Sequence, residues 1–448
     1  MSDIRTLWRE SKVYRVVLVL AVIYTVFRLG VHGFYLATML APERLPDWVG
    51  AEEPMIPDDL RIYLDAAERL ESREDLYIQN EVKRMEFYQY APSFALAFVP
   101  TLGISRNIQT IFHTVLHIAV YVLLYKFWSK IFEESGLSQA KEKLGLTLPV
   151  WLIFSAFWGD LGYLNIYIIL AFLSTLLIKA ILNEKLGWSL LWLSLILQMK
   201  PQWAFAIAVP LLLGRWRFFL KVFSLSILVY LTIVGSVMLI TGPDYGLQQY
   251  LDYFRLLGRV SGGSYPWRMP KDAFLGYNHS IMQVFIYLFG TQSWVFQLAT
   301  AIKVLILTPL GILGIRFLRN PLKKQGGEVP RLALDWALTL YLAAFIWLDM
   351  VWEISLGIAI FSYLLGTLKQ RSARNLVWIV FLPYALVDLI QVFSFAVFGP
   401  DVIATGLYVL TDPSIYVPLI MIVILLFYML LIRRLWQTSN HLPFSKVV

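Results

Sequence analysis

Apolar and polar positions fall in long alternating blocks along this chain. Hydrophobic stretches recur from residue 13 to residue 434, separated by short polar segments rich in Lys and Arg. Many have the length that a membrane-crossing helix needs, about 20 residues. The pattern predicts an all-α polytopic membrane protein, one transmembrane unit over 1–448 with no separate soluble domain. Runs 91–104 and 281–290 are too short to cross comfortably and read as re-entrant or interfacial helices. Runs 148–158 and 188–198 are also short and cross only where the membrane is thinned. No fixed-period repeat is visible.

One polar segment interrupts the pattern just after the first apolar block. It begins Ile56-Pro57-Asp58-Asp59 and places Leu60, Tyr63, Ala66, Ala67 and Leu70 on one helical face. Arg61, Asp65, Glu68, Arg69 and Glu71 occupy the other face, so the spacing predicts an amphipathic helix lying along a membrane surface. Asp is a preferred N-cap, and acids favour the positive end of a helix dipole. Two adjacent aspartates exceed the need of one cap, which leaves one to face a vestibule as a base.

Composition agrees with the pattern. The chain has 448 residues, 58% hydrophobic and 15% charged, with mean hydropathy +0.65. Soluble domains average roughly 45–50% apolar and about 25% charged. Cysteine is absent, which excludes disulfides, thiolate nucleophiles and Cys-ligated metals. A net charge of +8 would point to nucleic acid in a soluble protein. Here the cations gather between apolar blocks and orient the chain, so no nucleic-acid partner is expected. Arg5, Arg9, Lys12 and Arg15 place the N-terminus in the cytoplasm. Later clusters on the same side give a ladder of about 12 spans, both termini cytoplasmic, in a cell (inner) membrane. The first span (its apolar core at 16–26) reads as uncleaved. The outer face then carries 34–106, 158–164, 198–202, 241–278, 349–353 and 399–413.

Several motifs occur in order on that face. The first run is Asp59-Leu60-Arg61-Ile62-Tyr63, Ala66-Ala67, Asp75-Leu76-Tyr77 and Tyr90-Ala91-Pro92-Ser93-Phe94. Gly162-Tyr163-Leu164-Asn165, Lys200-Pro201, Asn278-His279-Ser280 and Trp352-Glu353 follow. Their order and spacing resemble the GT87-type family, GT-C fold glycosyltransferases that use a polyprenyl-phosphate sugar as donor. The chain departs from the family pattern at Ala91 (usually Pro), Tyr163 and His279 (each usually Gln) and Ile354 (often His).

The resemblance implies a GT-C-like fold and a single-displacement, inverting transfer of a hexose, with mannose the sugar it favours, to a glycan or glycolipid acceptor among membrane lipids. It assigns Asp59 as general base, with Asp58 as the reserve candidate. Lys200 is the candidate for steadying the leaving phosphate, at the outer end of a short helix broken by Pro201. Its bland reading is a lysine snorkelling to the interface. Arg255, Arg259 and Arg268, among glycines in 241–278, could close over a phosphate as a lid or simply attract anionic headgroups. Asn165, Asn278, His279, Tyr63, Trp352 and Glu353 complete the substrate-binding candidates. His113 and His117 stand four apart on one predicted span and read as helix packing. No metal site or cofactor is expected, and a divalent cation is not indicated. The competing class is a transporter or flippase of lipid-linked sugars, for which Asp388 is one of the few deep ionisable residues.

Overall fold

A computed structural model of the chain describes residues 2–41, 56–77, 88–261, 278–319, 328–351, 353–398 and 413–440. The described residues form helices and connecting turns, with no strand. Six helices are long and apolar enough to cross a membrane: Lys12–Leu40, Arg106–Glu134, Trp216–Thr241, Ser293–Arg319, Val329–Trp347 and Pro418–Asn440. Two bent pairs, Ser138–Leu146 with Leu148–Tyr163 (54°) and Arg371–Ala385 with Val387–Ser394 (42°), make eight if each is one crossing.

The long helices differ in what they face. Lys12–Leu40 starts at Ser11, whose side chain accepts the Tyr14 N–H at 3.1 Å. It and Trp216–Thr241 leave Val13, Val26, Leu231 and Leu239 open, the last 85% exposed. Leu305 on Ser293–Arg319 is 72% exposed. So large an apolar rim is stable only against lipid. Val329–Trp347 and Pro418–Asn440 instead bury most of their apolar length in one continuous core.

Around that core sit helices too short to cross about 30 Å of hydrocarbon. Tyr167–Leu182, Leu186–Met199 and Gly357–Thr367 have 16, 14 and 11 residues. Every residue from Gly357 to Gly366 is buried. Gly366 lies so close to the Ala140 backbone that any Cβ there would collide with it. The 91–104 run forms the short helix Pro92–Phe98 with a 3-10 turn, and the 281–290 run forms Ile281–Phe289. Both are short, as their length required.

Two sequence expectations change in detail. The segment expected to be outer from residue 34 is still helical there, since Lys12–Leu40 runs on without a break. The amphipathic helix forms over Asp58–Ser72, with Leu60, Tyr63, Ala66, Ala67 and Leu70 buried as the spacing required. Its apolar face meets protein, however: Tyr63 packs against Tyr90 and Phe94 at ring separations of 5.2 Å each. A 3.6-residue period marks a buried face without saying whether lipid or protein covers it.

Candidate functional site

Neither aspartate caps the helix that they begin. Pro57 occupies the cap position and no side chain accepts from the first turn. Asp58 turns outward to Arg61 at 3.3 Å. Asp59 turns inward, partly open to solvent, and its carboxylate accepts the Asn165 side-chain N–H at 2.9 Å. The cap explanation for Asp59 therefore falls away.

Asn165 is held by a strained turn. The helix Ser155–Tyr163 ends at Leu164, a buried branched residue in the left-handed region at φ 52°. Such a conformation persists only where the surroundings enforce it. The Asn165 N–H donates to the Asp160 carbonyl at 3.1 Å, and its side-chain oxygen accepts from Ile166 N–H at 2.7 Å. Both ends of the amide are thereby oriented, leaving its NH2 for Asp59. Asp160 is buried and accepts the N–H groups of Tyr167 (3.1 Å) and Ile168 (3.0 Å), the start of Tyr167–Leu182. His117 contacts the Asn165 carbonyl through Nε2, which lies 3.7 Å from Asp160. His117 is thus helix packing with a positioning role, whereas its neighbour His113 faces Phe98.

Lys200 completes the cluster. It follows Leu186–Met199 where Pro201 stops the α-helix and a 3-10 segment, Pro201–Ala208, begins. The side chain is buried, donates to the Tyr167 hydroxyl at 2.7 Å, and lies over the Tyr167 and Tyr90 rings at 4.1 and 5.4 Å. This is not a lysine reaching for the interface. Tyr90 is fixed from the other side by Tyr63, hydroxyl to hydroxyl at 3.2 Å. Ala91 N–H donates to the Gln198 carbonyl at 3.3 Å, tying this segment to the end of the lysine's helix.

Asp59 and Lys200 feel each other without forming an ion pair among the described residues. Burial pushes the Asp59 carboxyl up to about 7; Lys200 and the Asn165 amide pull against that rise, and Asp58 adds to it. Burial brings Lys200 down to about 8, opposed by Asp59 and Asp160. A carboxylate that titrates near neutrality stands within electrostatic reach of a cation, with Tyr63 and Tyr90 beside the acid and Tyr90 and Tyr167 beside the lysine. That arrangement can accept a proton on one side and hold an anion on the other.

The other candidates lie elsewhere. Asn278 donates to the Asp349 carbonyl at 3.0 Å and accepts from Val351 and Ser280 N–H, each at 3.1 Å. His279 N–H donates to the Val351 carbonyl at 2.7 Å. Asn278 thus latches two segments together through its backbone hydrogen bonds. The His279 ring is buried, which lowers it to about 3 and keeps it neutral. Ser280 caps Ile281–Phe289. Glu353 accepts the Tyr384 hydroxyl at 2.7 Å. Arg255 is exposed and pairs with Asp252 at 2.8 Å on Pro243–Ser261. Trp352, Arg268 and the Arg259 side chain lie outside the described residues, as does 262–277, so the lid expectation lies outside them except for Arg255 on the helix Pro243–Ser261.

Three participants escaped the sequence reading. Tyr167 and the positioning role of His117 carry no local signal. Lys303 does carry one, a lone lysine inside the apolar helix Ser293–Arg319. It is buried, bonded to the Asp349 carboxylate and to the Trp347 carbonyl at 2.9 Å. Among the described residues no three His, Asp or Glu side chains gather to hold a metal.

Fold and apolar rim together define an α-helical membrane protein. No protein-family model, curated protein or solved structure matches the chain.

Proposed function

We propose that this chain is a membrane glycosyltransferase that moves a hexose from a polyprenyl-phosphate sugar to a hydroxyl acceptor on the extracytoplasmic face. The observation that carries the reading is Asp59: a partly open carboxylate, oriented by Asn165, titrating near neutrality and facing Lys200. Asp59 takes the proton of the acceptor hydroxyl as its oxygen attacks the anomeric carbon. The bond from that carbon to the phosphate oxygen breaks, and polyprenyl phosphate leaves with the electron pair. The Lys200 ammonium offsets the charge that builds on it. One displacement inverts the anomeric centre.

The ordered motifs that resemble GT87-type enzymes support this reading, and mannose as the sugar rests on that resemblance alone. The further features of the proposal are about 12 crossings, a GT-C arrangement and cytoplasmic termini. The short stacked helices would supply the additional crossings where the membrane thins. Asp388, the deep acid on which a transporter reading would lean, is already engaged. It pairs with Arg28 at 3.1 Å and accepts the Tyr24 hydroxyl.

The test is transfer by purified protein from radiolabelled polyprenyl-phosphate mannose to a total membrane-lipid extract, wild type against Asp59→Asn. Labelled product made by wild type and lost in a folded variant supports the assignment. Equal transfer by both removes Asp59 as the base.

A further inference from the structure

A cavity lined by basic side chains lies away from the Asp59 cluster. It encloses about 500 Å³ between the starts of Glu328–Trp347 and Arg371–Ala385 and the last turns of Pro413–Asn440. Asp335 lies 12 residues before Trp347, roughly 18 Å along the helix at 1.5 Å per residue. The part of that helix nearest Lys200 is its second half, where Tyr341 and Phe345 pack on Trp203.

The lining is strongly basic. Arg331, Lys369, Arg433 and Arg434 stand against one acid, Asp335. That acid is already satisfied: Arg434 and the Tyr363 hydroxyl both donate to its carboxylate. Arg434 also donates to the Thr367 hydroxyl, and its buried Nε has no hydrogen-bond partner among the described residues. Arg331, Lys369 and Arg433 form no ion pair among the described residues, which leaves an excess of three positive charges at the cavity wall. Val329, Leu332, Leu368, Ala373 and Leu430 add an apolar stretch of wall, Gln437 and Thr438 add neutral polar groups, and Lys369, Gln370 and Arg433 open it to the exterior.

We propose that this cavity binds the phosphate of an anionic glycerophospholipid headgroup, gripped by Arg331, Lys369 and Arg433. Guanidinium forks match phosphate oxygens two at a time, and a volume of this size suits a small polar group. The apolar wall beside the cations favours a headgroup with its chains over a bare anion. Basic clefts between membrane helices hold headgroups by this chemistry. The Arg434–Asp335 pair forms the floor and keeps the cleft open without consuming the other cations.

The full-length protein in dodecyl-maltoside micelles is titrated with dioctanoyl-phosphatidylglycerol, dioctanoyl-phosphatidylcholine or inorganic phosphate. Native mass spectrometry and thermal unfolding are read out. Phosphatidylglycerol should occupy one site and raise Tm while phosphatidylcholine does neither. The Arg331→Gln/Arg433→Gln variant, which keeps the Arg434–Asp335 floor, should bind it about tenfold more weakly or worse. Lys369→Gln, at an exposed position, should weaken binding in the same direction without threatening the fold. Protection by inorganic phosphate equal to that by phosphatidylglycerol would overturn the lipid assignment. Equal retention of both lipids, or undiminished binding by these variants, would overturn the site itself. Neither readout involves sugar transfer, so the outcome is independent of the Asp59 assignment.

Discussion

Two regions of this protein carry the same ingredients, an asparagine, a lysine and a carboxylate, and put them to opposite uses. Around Asp59 the lysine and the acid are held apart, Lys200 by tyrosines and Asp59 by the Asn165 amide. Around Asp349 the lysine and the acid are in contact, and Asn278 uses both ends of its amide on backbone. The first region keeps opposite charges unspent. The second has closed them on each other, which is how a fold holds itself rather than a ligand. The resemblance in sequence pointed to Asp59, Asn165 and Lys200 in the first region but only to Asn278 in the second, and geometry separates the two.

The comparison can be broken by substitution. Asp59→Asn should lower sugar transfer about 10²- to 10⁴-fold, the range for removing a general base, while leaving the thermal transition in place. Lys303→Met should do the reverse. Leaving the Asp349 carboxylate without its buried partner should cost about 3–5 kcal/mol, read as lost stability on denaturant unfolding in detergent. A stable Lys303→Met with lost transfer would make the second region the reactive one. Lys200→Met should cut the transfer rate about 10²-fold or more if the ammonium meets the leaving phosphate. A change in donor binding alone would limit Lys200 to attraction.

The pH profile sharpens the contrast. Asp59 must be ionised to act, so transfer should rise with pH through about 7. Lys200 must be protonated, so transfer should fall again above about 8. Asn165→Ala removes a hydrogen bond to the ionised carboxylate and should move the rising limb to higher pH, which a purely structural asparagine would not do. Arg255→Gln, an exposed partner of Asp252, should change neither stability nor transfer measurably.

The helical architecture and the buried face of Asp58–Ser72 were legible because they are periodic and local. The break at Lys200-Pro201 was legible for the same reason. What Asp59 faces was not, because its partner Asn165 lies 106 positions away along the chain. The Lys200–Tyr167 contact spans 33 positions and the Lys303–Asp349 contact 46. Pairing across such distances is set by helix packing, on which hydropathy is silent. Hydropathy also cannot tell a lipid neighbour from a protein one, so Gly357–Thr367 and an exposed span look alike in composition while one is wholly enclosed.

That enclosed helix bears on how the protein is made. Its 11 residues reach about 16 Å, roughly half the thickness of the hydrocarbon core, so it cannot be threaded into lipid as an independent segment. The Ser138–Leu146 helix, already synthesised, supplies one wall of its berth, with Gly366 against Ala140. Pro413–Asn440, still to come, supplies another. Enclosure of this helix is therefore complete only once Pro413–Asn440, made later in the chain, has joined the bundle, so until then one of its flanks has no protein neighbour from that side.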